Sequence, residues 1–125
     1  MRNYKNYDVW QKAHELCLFI YREITSVFPP EEKYGLASQL RRASSSTPLN
    51  IVEGCGRNSD KDFVRFLDMA LGFTHETEYC LLLTFELGFV QKEKYEIVSE
   101  MINKVKAMLI GLIRAIRITT TTFSK

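Results

Sequence analysis

The chain has 125 residues, 46% of them hydrophobic and 26% charged, and chains of this size usually build one core. Such a domain can bury roughly two-thirds of the surface of its unfolded chain, so it needs neither a disulfide framework nor a structural metal. Seventeen Lys and Arg against fifteen Asp and Glu leave a net charge of +2, which excludes a strongly basic, histone-like binder but not a local basic patch. Six Gly and three Pro are few for a β-sandwich or barrel, so we expect helices.

The first predicted helix begins at Asp8, which together with Gln11 resembles a capping box. Its core face consists of apolar residues spaced three and four apart: Val9, Ala13, Leu16, Cys17, Ile20 and Ile24. Pro29 and Pro30 cannot continue a helix, so the helix should end near Phe28.

The second predicted helix opens on Pro30, Glu31 and Glu32, with Gly35 as a point of interruption. Pro48 predicts a kink, and the tight turn at residues 54–56 predicts the end of the helix. Its core face is predicted to be Leu36, Leu40, Ala43, Thr47 and Ile51.

Two further helices complete the prediction. Ser59 and Asp62 mark the start of the third, Gly88 caps its end, and the fourth runs from about Gln91 to about Arg117. The apolar stripe of the third helix comprises Phe63, Phe66, Leu67, Ala70, Leu71, Thr74, Leu81 and Phe85. Short links between four helices predict an all-α, antiparallel up-down-up-down four-helix bundle over residues 1–118, with a disordered tail at 119–125.

Catalytic, metal and cofactor motifs are weak, and we expect a protein that is not an enzyme and has no cofactor or metal. His75 and Glu78 stand in the reverse order of the Glu-x-x-His motif of di-iron bundles. The glycines beside Cys55 lack the third glycine of a dinucleotide fingerprint. Three cysteines without a Cys-x-x-Cys pair favour reduced thiols, and no apolar run reaches the ~18–20 residues that span a bilayer. We therefore expect a cytoplasmic location and no membrane partner.

Glu78 falls on the predicted core face of the third helix, between Leu67 and Leu71 on the helical wheel. A buried carboxylate must be paired or protonated, so we expect a structural ion pair with Arg41 or Arg42 of the second helix. A general acid or base at Glu78 would require a second converging group.

The last 25 residues carry cations and no acid: Lys104, Lys106, Arg114, Arg117 and Lys125. Three of them, Lys106, Arg114 and Arg117, lie within ~80° on the helical wheel. Such a stripe can follow a phosphate backbone, or it can be the solvated end of a helix whose dipole favours cations. The sequence leaves both alternatives open.

Apolar residues also extend beyond a single core stripe. They occupy close to half of the circumference of the fourth helix, with Ile110 outside that arc, and Leu18 and Phe19 share the polar side of the first helix. We expect self-association through Leu18, Phe19 and Ile110, or a protein partner that docks on them.

Two stretches resemble one protein family: FPPEEKYGLASQLRRASSSTPLNIVEG and FVRFLDMALGFTHETEYCLLLTFELGFV. In the first, the matching residues are Phe28, Pro29, Glu31, Tyr34, Gly35, Leu36, Gln39, Leu40, Arg41, Arg42, Ala43, Pro48, Asn50, Ile51, Glu53 and Gly54. Downstream they are Arg57, Phe63, Phe66, Leu67, Ala70, Gly72, Glu76, Glu78, Leu87 and Gly88. Over roughly residues 4–117, the chain resembles the 23S rRNA intervening-sequence proteins.

The resemblance implies an antiparallel four-helix bundle that assembles into a ring-like homopentamer and has no established catalysis. Some members are encoded inside intervening segments of large-subunit rRNA genes, and similar bundles accompany reverse transcriptases in diversity-generating retroelements. Both contexts imply contact with nucleic acid or with a nucleic-acid-handling protein. We therefore expect a homo-oligomer that binds RNA or DNA through Arg41, Arg42, Lys106, Arg114 and Arg117, the alternative being a protein-interaction adaptor.

Overall fold

A computed structural model describes residues 2–124, with side chains for residues 2–119, and is all-helical. The four long helices are α1 (Asp8–Phe19), α2 (Leu36–Cys55), α3 (Asp60–Glu86) and α4 (Lys92–Ser124). Helices α1 and α3 each pack against both α2 and α4, so that the four surround one core. The predicted all-α four-helix bundle is confirmed.

Later residues of one helix contact earlier residues of the neighbouring helix. Arg42, in the first half of α2, pairs with Glu76, whereas Gly54 at the end of α2 lies against Phe66. Ion pairs between α3 and α4 show the same reversal: Asp68 with Arg117 and Glu78 with Lys106. Antiparallel neighbours give this order of contacts.

The core of α2 follows the predicted stripe, because Leu36, Leu40, Ala43, Thr47 and Ile51 are all buried. In α3, six of the eight predicted stripe residues are buried, and Leu71 and Phe85 are half-buried. Buried threonines complete the α3 face, and each hydroxyl donates to the carbonyl four residues before it: Thr74 to Ala70, Thr77 to Phe73, and Thr84 to Cys80. These local bonds let hydroxyls lie in the core without an unsatisfied donor.

Both ends of α3 are capped as the sequence predicts. The Ser59 hydroxyl accepts a hydrogen bond from the backbone N–H of Asp62 at 3.1 Å. At the other end Gly88 has φ = +81°, its N–H donates to the Phe85 carbonyl, and the Phe89 N–H donates to the Thr84 carbonyl. These two bonds form a Schellman motif, which a residue with a Cβ would strain.

The start of α1 differs from the predicted capping box. Tyr7 is the N-cap and makes no side-chain cap, while Asp8 is already the first helical residue. The Gln11 amide donates instead to the Lys5 carbonyl at 3.2 Å. A short turn at Tyr4–Asn6 before the helix provides that carbonyl, so Gln11 has an acceptor outside the helix.

Helix α1 is followed by two turns of different width. A π-helical turn at Ile20–Ile24 is followed by a 3₁₀ turn at Thr25–Val27. Phe28 is then extended before Pro29, as expected for a residue that precedes proline. Another 3₁₀ turn at Pro30–Glu32 leads to α2, which begins after Gly35, so Pro30, Glu31 and Glu32 form a separate turn and not the predicted first turn of the helix. Helix α2 then continues through Pro48 to Cys55.

Helix α4 is longer than the sequence predicts. Its backbone continues past Arg117 to Ser124, through most of the segment expected to be a disordered tail, while Lys125 lies outside the described residues. The Thr119 hydroxyl donates to the Ala115 carbonyl at 2.9 Å, a bond that threonine makes within a helix. Within the described residues, no helix is long and apolar enough to span a bilayer.

Gly54 provides a test of the α2–α3 contact. A Cβ at this position would lie 2.9 Å from Phe66 Cβ and 3.0 Å from Phe63 Cδ1. We expect Gly54→Ala to lower the free energy of unfolding by about 1–3 kcal/mol, because overpacking outweighs the better helix propensity of alanine. Urea unfolding followed by circular dichroism measures this difference.

Gly72→Ala is the matched control. Gly72 also lies inside a helix, but a Cβ there has nothing within 4 Å. This substitution should stabilise the protein by about 0.5–1 kcal/mol, since only the helix propensity changes. Equal effects at the two glycines would contradict the close packing at Gly54.

Candidate nucleic-acid interface

Glu78 lies at the rim of the bundle, so the prediction that it is buried and paired with Arg41 or Arg42 is wrong. Its side chain is 44% exposed, and its carboxylate accepts a hydrogen bond from Lys106 Nζ at 2.8 Å. Thr77 occupies the buried position instead. The buried residues at positions 70, 77 and 84 each come one position before residues 71, 78 and 85. Successive side chains of a helix point ~100° apart, so Glu78 points away from the direction of Thr77.

Reactive groups elsewhere in the described chain do not converge. Among residues 2–119, no three His, Cys, Asp or Glu side chains are close enough to hold a metal ion. Burial raises the pKa of Cys17, Cys55 and Cys80. Their thiols therefore stay protonated near neutral pH, and a thiol is a much weaker nucleophile than a thiolate.

The cation stripe of α4 is largely neutralised by α3. Lys106 pairs with Glu78, and its side chain is only 22% exposed. Arg117 pairs with Asp68 across the same helix boundary. Arg114 is exposed and has no carboxylate partner among the described residues. The structure therefore does not bring Lys106, Arg114 and Arg117 together as a free basic surface.

A basic and aromatic groove lies where the end of α1 meets the start of α2. It has a volume of about 440 Å³ and is lined by Tyr21, Lys33, Tyr34, Ser38, Arg41 and Arg42. None of these described lining residues is acidic, and three are cations. We call this surface the tyrosine–arginine groove. It contains two of the five residues that the sequence predicts as nucleic-acid contacts.

Arg41 is held rigidly in this groove. Its Nε donates to the hydroxyl of buried Thr25 at 2.9 Å, and its guanidinium lies 5.4 Å from the centre of the Tyr21 ring. Among the described residues, its terminal Nη groups make no hydrogen bond. A guanidinium fixed at Nε presents its Nη donors to an anion with little loss of side-chain entropy.

The other two cations of the groove are more exposed. Arg42 is 62% exposed, pairs with Glu76 at 3.0 Å, and lies 6.0 Å from the Phe73 ring centre. Lys33 Nζ lies 5.4 Å from the ring centre of Tyr34. An exposed ion pair contributes only about 0–1 kcal/mol, so an incoming phosphate can compete with Glu76 for Arg42.

Sequence reasoning missed Tyr21, Lys33 and Tyr34. The available signal was the spacing of Ser38, Arg41 and Arg42, which places them on one side of α2. Lys33 and Tyr34 belong to the connection before α2, and Tyr21 belongs to the π-helical turn. The connection has no regular period that would assign Lys33 and Tyr34 to a face, and the period around Tyr21 identifies the core face of the first helix but not the residues that Tyr21 lies beside.

The predicted partner surface is less exposed than expected. Leu18, Phe19 and Ile110 are half-buried, and the first two line a shallow groove together with Met101 of α4. Phe19 packs against the hydrophobic core. Large apolar side chains are more exposed elsewhere: Val27, Leu49, Met69, Tyr79, Leu82, Leu87, Ile97 and Ile118. A protein partner that docks on Leu18, Phe19 and Ile110 stays a prediction.

Comparison with known proteins agrees with this fold. The sequence model of a family described as 23S rRNA-intervening sequence protein matches residues 5–111. A crystal structure of a protein with unknown function from the S23 ribosomal protein family of Bacteroides thetaiotaomicron VPI-5482 is similar, with a TM-score of 0.78 and 27% sequence identity. The alignment covers 84% of this chain and 97% of that chain. No curated protein matches the sequence.

The exposed position of Glu78 predicts a small effect of its removal. Glu78→Ala should change the free energy of unfolding by less than about 1 kcal/mol, since exposed ion pairs contribute little. Thermal and urea unfolding measure the change. A loss of several kcal/mol would mean that the carboxylate is buried in an ion pair, and would contradict its pairing with Lys106 at the surface.

Proposed function

The chain belongs to the family of 23S rRNA-intervening sequence proteins, and from this membership we propose that it is a non-enzymatic, homo-oligomeric four-helix bundle that binds RNA or DNA. One observation carries the proposal: the tyrosine–arginine groove joins three cations to two tyrosines, and no acid lines it. Neutralising phosphates releases counterions from the nucleic acid, so three clustered cations are a favourable contact for its backbone.

The groove supports this function better than the α4 stripe does. Lys106 and Arg117 already have carboxylate partners on α3, and a phosphate would have to displace both. In the groove, Arg41 binds only a neutral hydroxyl, and Lys33 lies over a tyrosine ring. Two of its three cations therefore keep their charge available for an anion.

Exposed apolar side chains support self-association. Tyr79 and Leu82 stand three residues apart on α3 and line a groove of about 450 Å³ with Tyr95 of α4. A second copy of the chain that covers them would remove apolar surface from water. The family resemblance implies five copies, and a pentamer would multiply a net charge of +2 and the tyrosine–arginine groove by five.

Nucleic-acid binding is tested by its salt dependence. Fluorescence anisotropy with a labelled 20-nucleotide RNA or DNA should give a slope of log K against log salt of about −2 per groove, since each of three cations contributes about −0.7. Arg42→Gln should weaken binding and reduce that slope by about 0.7.

Two variants control for charge alone. Arg57→Gln removes a cation that also pairs with a carboxylate and lies over a phenylalanine ring, but outside the groove. Arg114→Gln removes a cation of α4 that has no carboxylate partner among the described residues. Both variants should bind the labelled oligonucleotide with the same affinity and salt dependence as the unchanged protein. Undetectable binding at low ionic strength would overturn the proposal, and a larger loss from Arg114→Gln than from Arg42→Gln would move the site to α4.

Oligomerisation is tested by light scattering on the purified protein. The unchanged chain should have five times the 14.6 kDa mass of one copy. Leu82→Glu should reduce the assembled mass while circular dichroism retains the helical signal, because a carboxylate at a buried interface lacks a partner. A single-chain mass for the unchanged protein would contradict self-association.

A further inference from the structure

We infer that the tyrosine–arginine groove selects single-stranded over double-stranded nucleic acid by stacking unpaired bases on Tyr34 and Tyr21. This inference rests on the proposed function and adds the class of nucleic acid. It is carried by the exposure of the two tyrosine rings and by their position among the cations.

Tyr34 is the most exposed large apolar side chain among the described residues, at 88%, and Tyr21 is 43% exposed. A tyrosine ring is a large, mainly apolar surface, and tyrosine is enriched at interfaces. An exposed ring in a groove offers a flat apolar face, and every base has a face that can stack on it. Stacking on a base would remove apolar surface of Tyr34 from water.

The cations lie beside these rings at distances that suit alternating base and phosphate contacts. Lys33 Nζ is 5.4 Å from the Tyr34 ring centre, and the Arg41 guanidinium is 5.4 Å from that of Tyr21. In a single strand, bases and phosphates alternate along the chain, so one strand can meet both kinds of side chain. Single-strand binding proteins combine stacking aromatic rings with a positive groove in this way.

The π-helical turn brings Tyr21 and Arg41 together. The Thr25 hydroxyl donates to the Ile20 carbonyl, five residues back, while it accepts the Arg41 Nε–H. The wider turn therefore positions both the hydroxyl that fixes Arg41 and the ring that lies beside it. Turns of this kind occur frequently at functional sites.

Duplex nucleic acid offers the cations the same phosphates but not the base faces. In a double helix each base is stacked between its neighbours, so Tyr34 cannot contact its face without unstacking the duplex. Electrostatic attraction alone would bind both forms. The difference in affinity between single strands and duplexes therefore measures what the tyrosines contribute to binding.

The experiment measures binding of labelled 12-nucleotide single strands, RNA and DNA, and of the matching duplexes by fluorescence anisotropy at one salt concentration. The unchanged protein should bind the single strands more tightly than the duplexes. Tyr34→Ala should weaken single-strand binding by about 5- to 150-fold and leave duplex binding within about two-fold, because stacking on one ring has that range. Tyr34→Phe keeps the ring and should bind like the unchanged protein.

The outcomes separate this inference from the proposed function. Equal affinity for single strands and duplexes, with no effect of Tyr34→Ala, would overturn the inference and leave nucleic-acid binding intact. Failure to bind either form at low salt would overturn both. Circular dichroism shows whether Tyr34→Ala is folded, and loss of binding to both forms in a folded variant would mean that Tyr34 does not act by stacking on unpaired bases.

Discussion

The close approach of α2 to α3 is the constraint that positions the rest of the molecule. Gly54 lies against the Phe63 ring and the Phe66 Cβ, and the hydroxyls of Thr47 and Thr74 are 3.1 Å apart between the helices. Small side chains let the two backbones lie close, and the paired hydroxyls prevent an unsatisfied donor in the core. Helix α2 carries the two arginines of the tyrosine–arginine groove, so the packing of α2 against α3 sets the orientation of that groove.

Ion pairs on this bundle form both along single helices and between neighbouring helices. The acid-free end of the sequence does not form an acid-free surface, since Glu78 and Asp68 of α3 pair with Lys106 and Arg117 of α4. Such exposed pairs contribute little stability, about 0–1 kcal/mol each. Their greater consequence is to decide which cations remain for an anionic partner. In the tyrosine–arginine groove, by contrast, Arg41 binds a hydroxyl and not a carboxylate.

Local sequence rules predicted most of the fold, but they placed the wrong one of two adjacent α3 residues in the core. The cap at Ser59, the Schellman turn at Gly88 and the buried stripe of α2 all depend on residues close together in sequence. Glu78 has Leu71 and Phe85 seven positions away, and the adjacent Thr77 has Ala70 and Thr84 at the same spacing. Periodicity could not decide which of the two faces the core, because both follow a seven-residue spacing. Packing against the neighbouring helices chose Thr77, whose hydroxyl bonds to its own helix.

The sequence by itself determined the number of helices, the caps of α3, the main core residues and the family, because periodicity and turn chemistry act over a few residues. The tertiary structure alone decided which charges are paired and which side chains share a groove. Tyr21, Tyr34 and Arg41 come from a π-helical turn, a connection and α2, and they meet only because α1 and α2 pack together. The sequence pattern shows which face of a helix is apolar. Which side chains of two helices contact each other depends on the angle and register at which the helices pack.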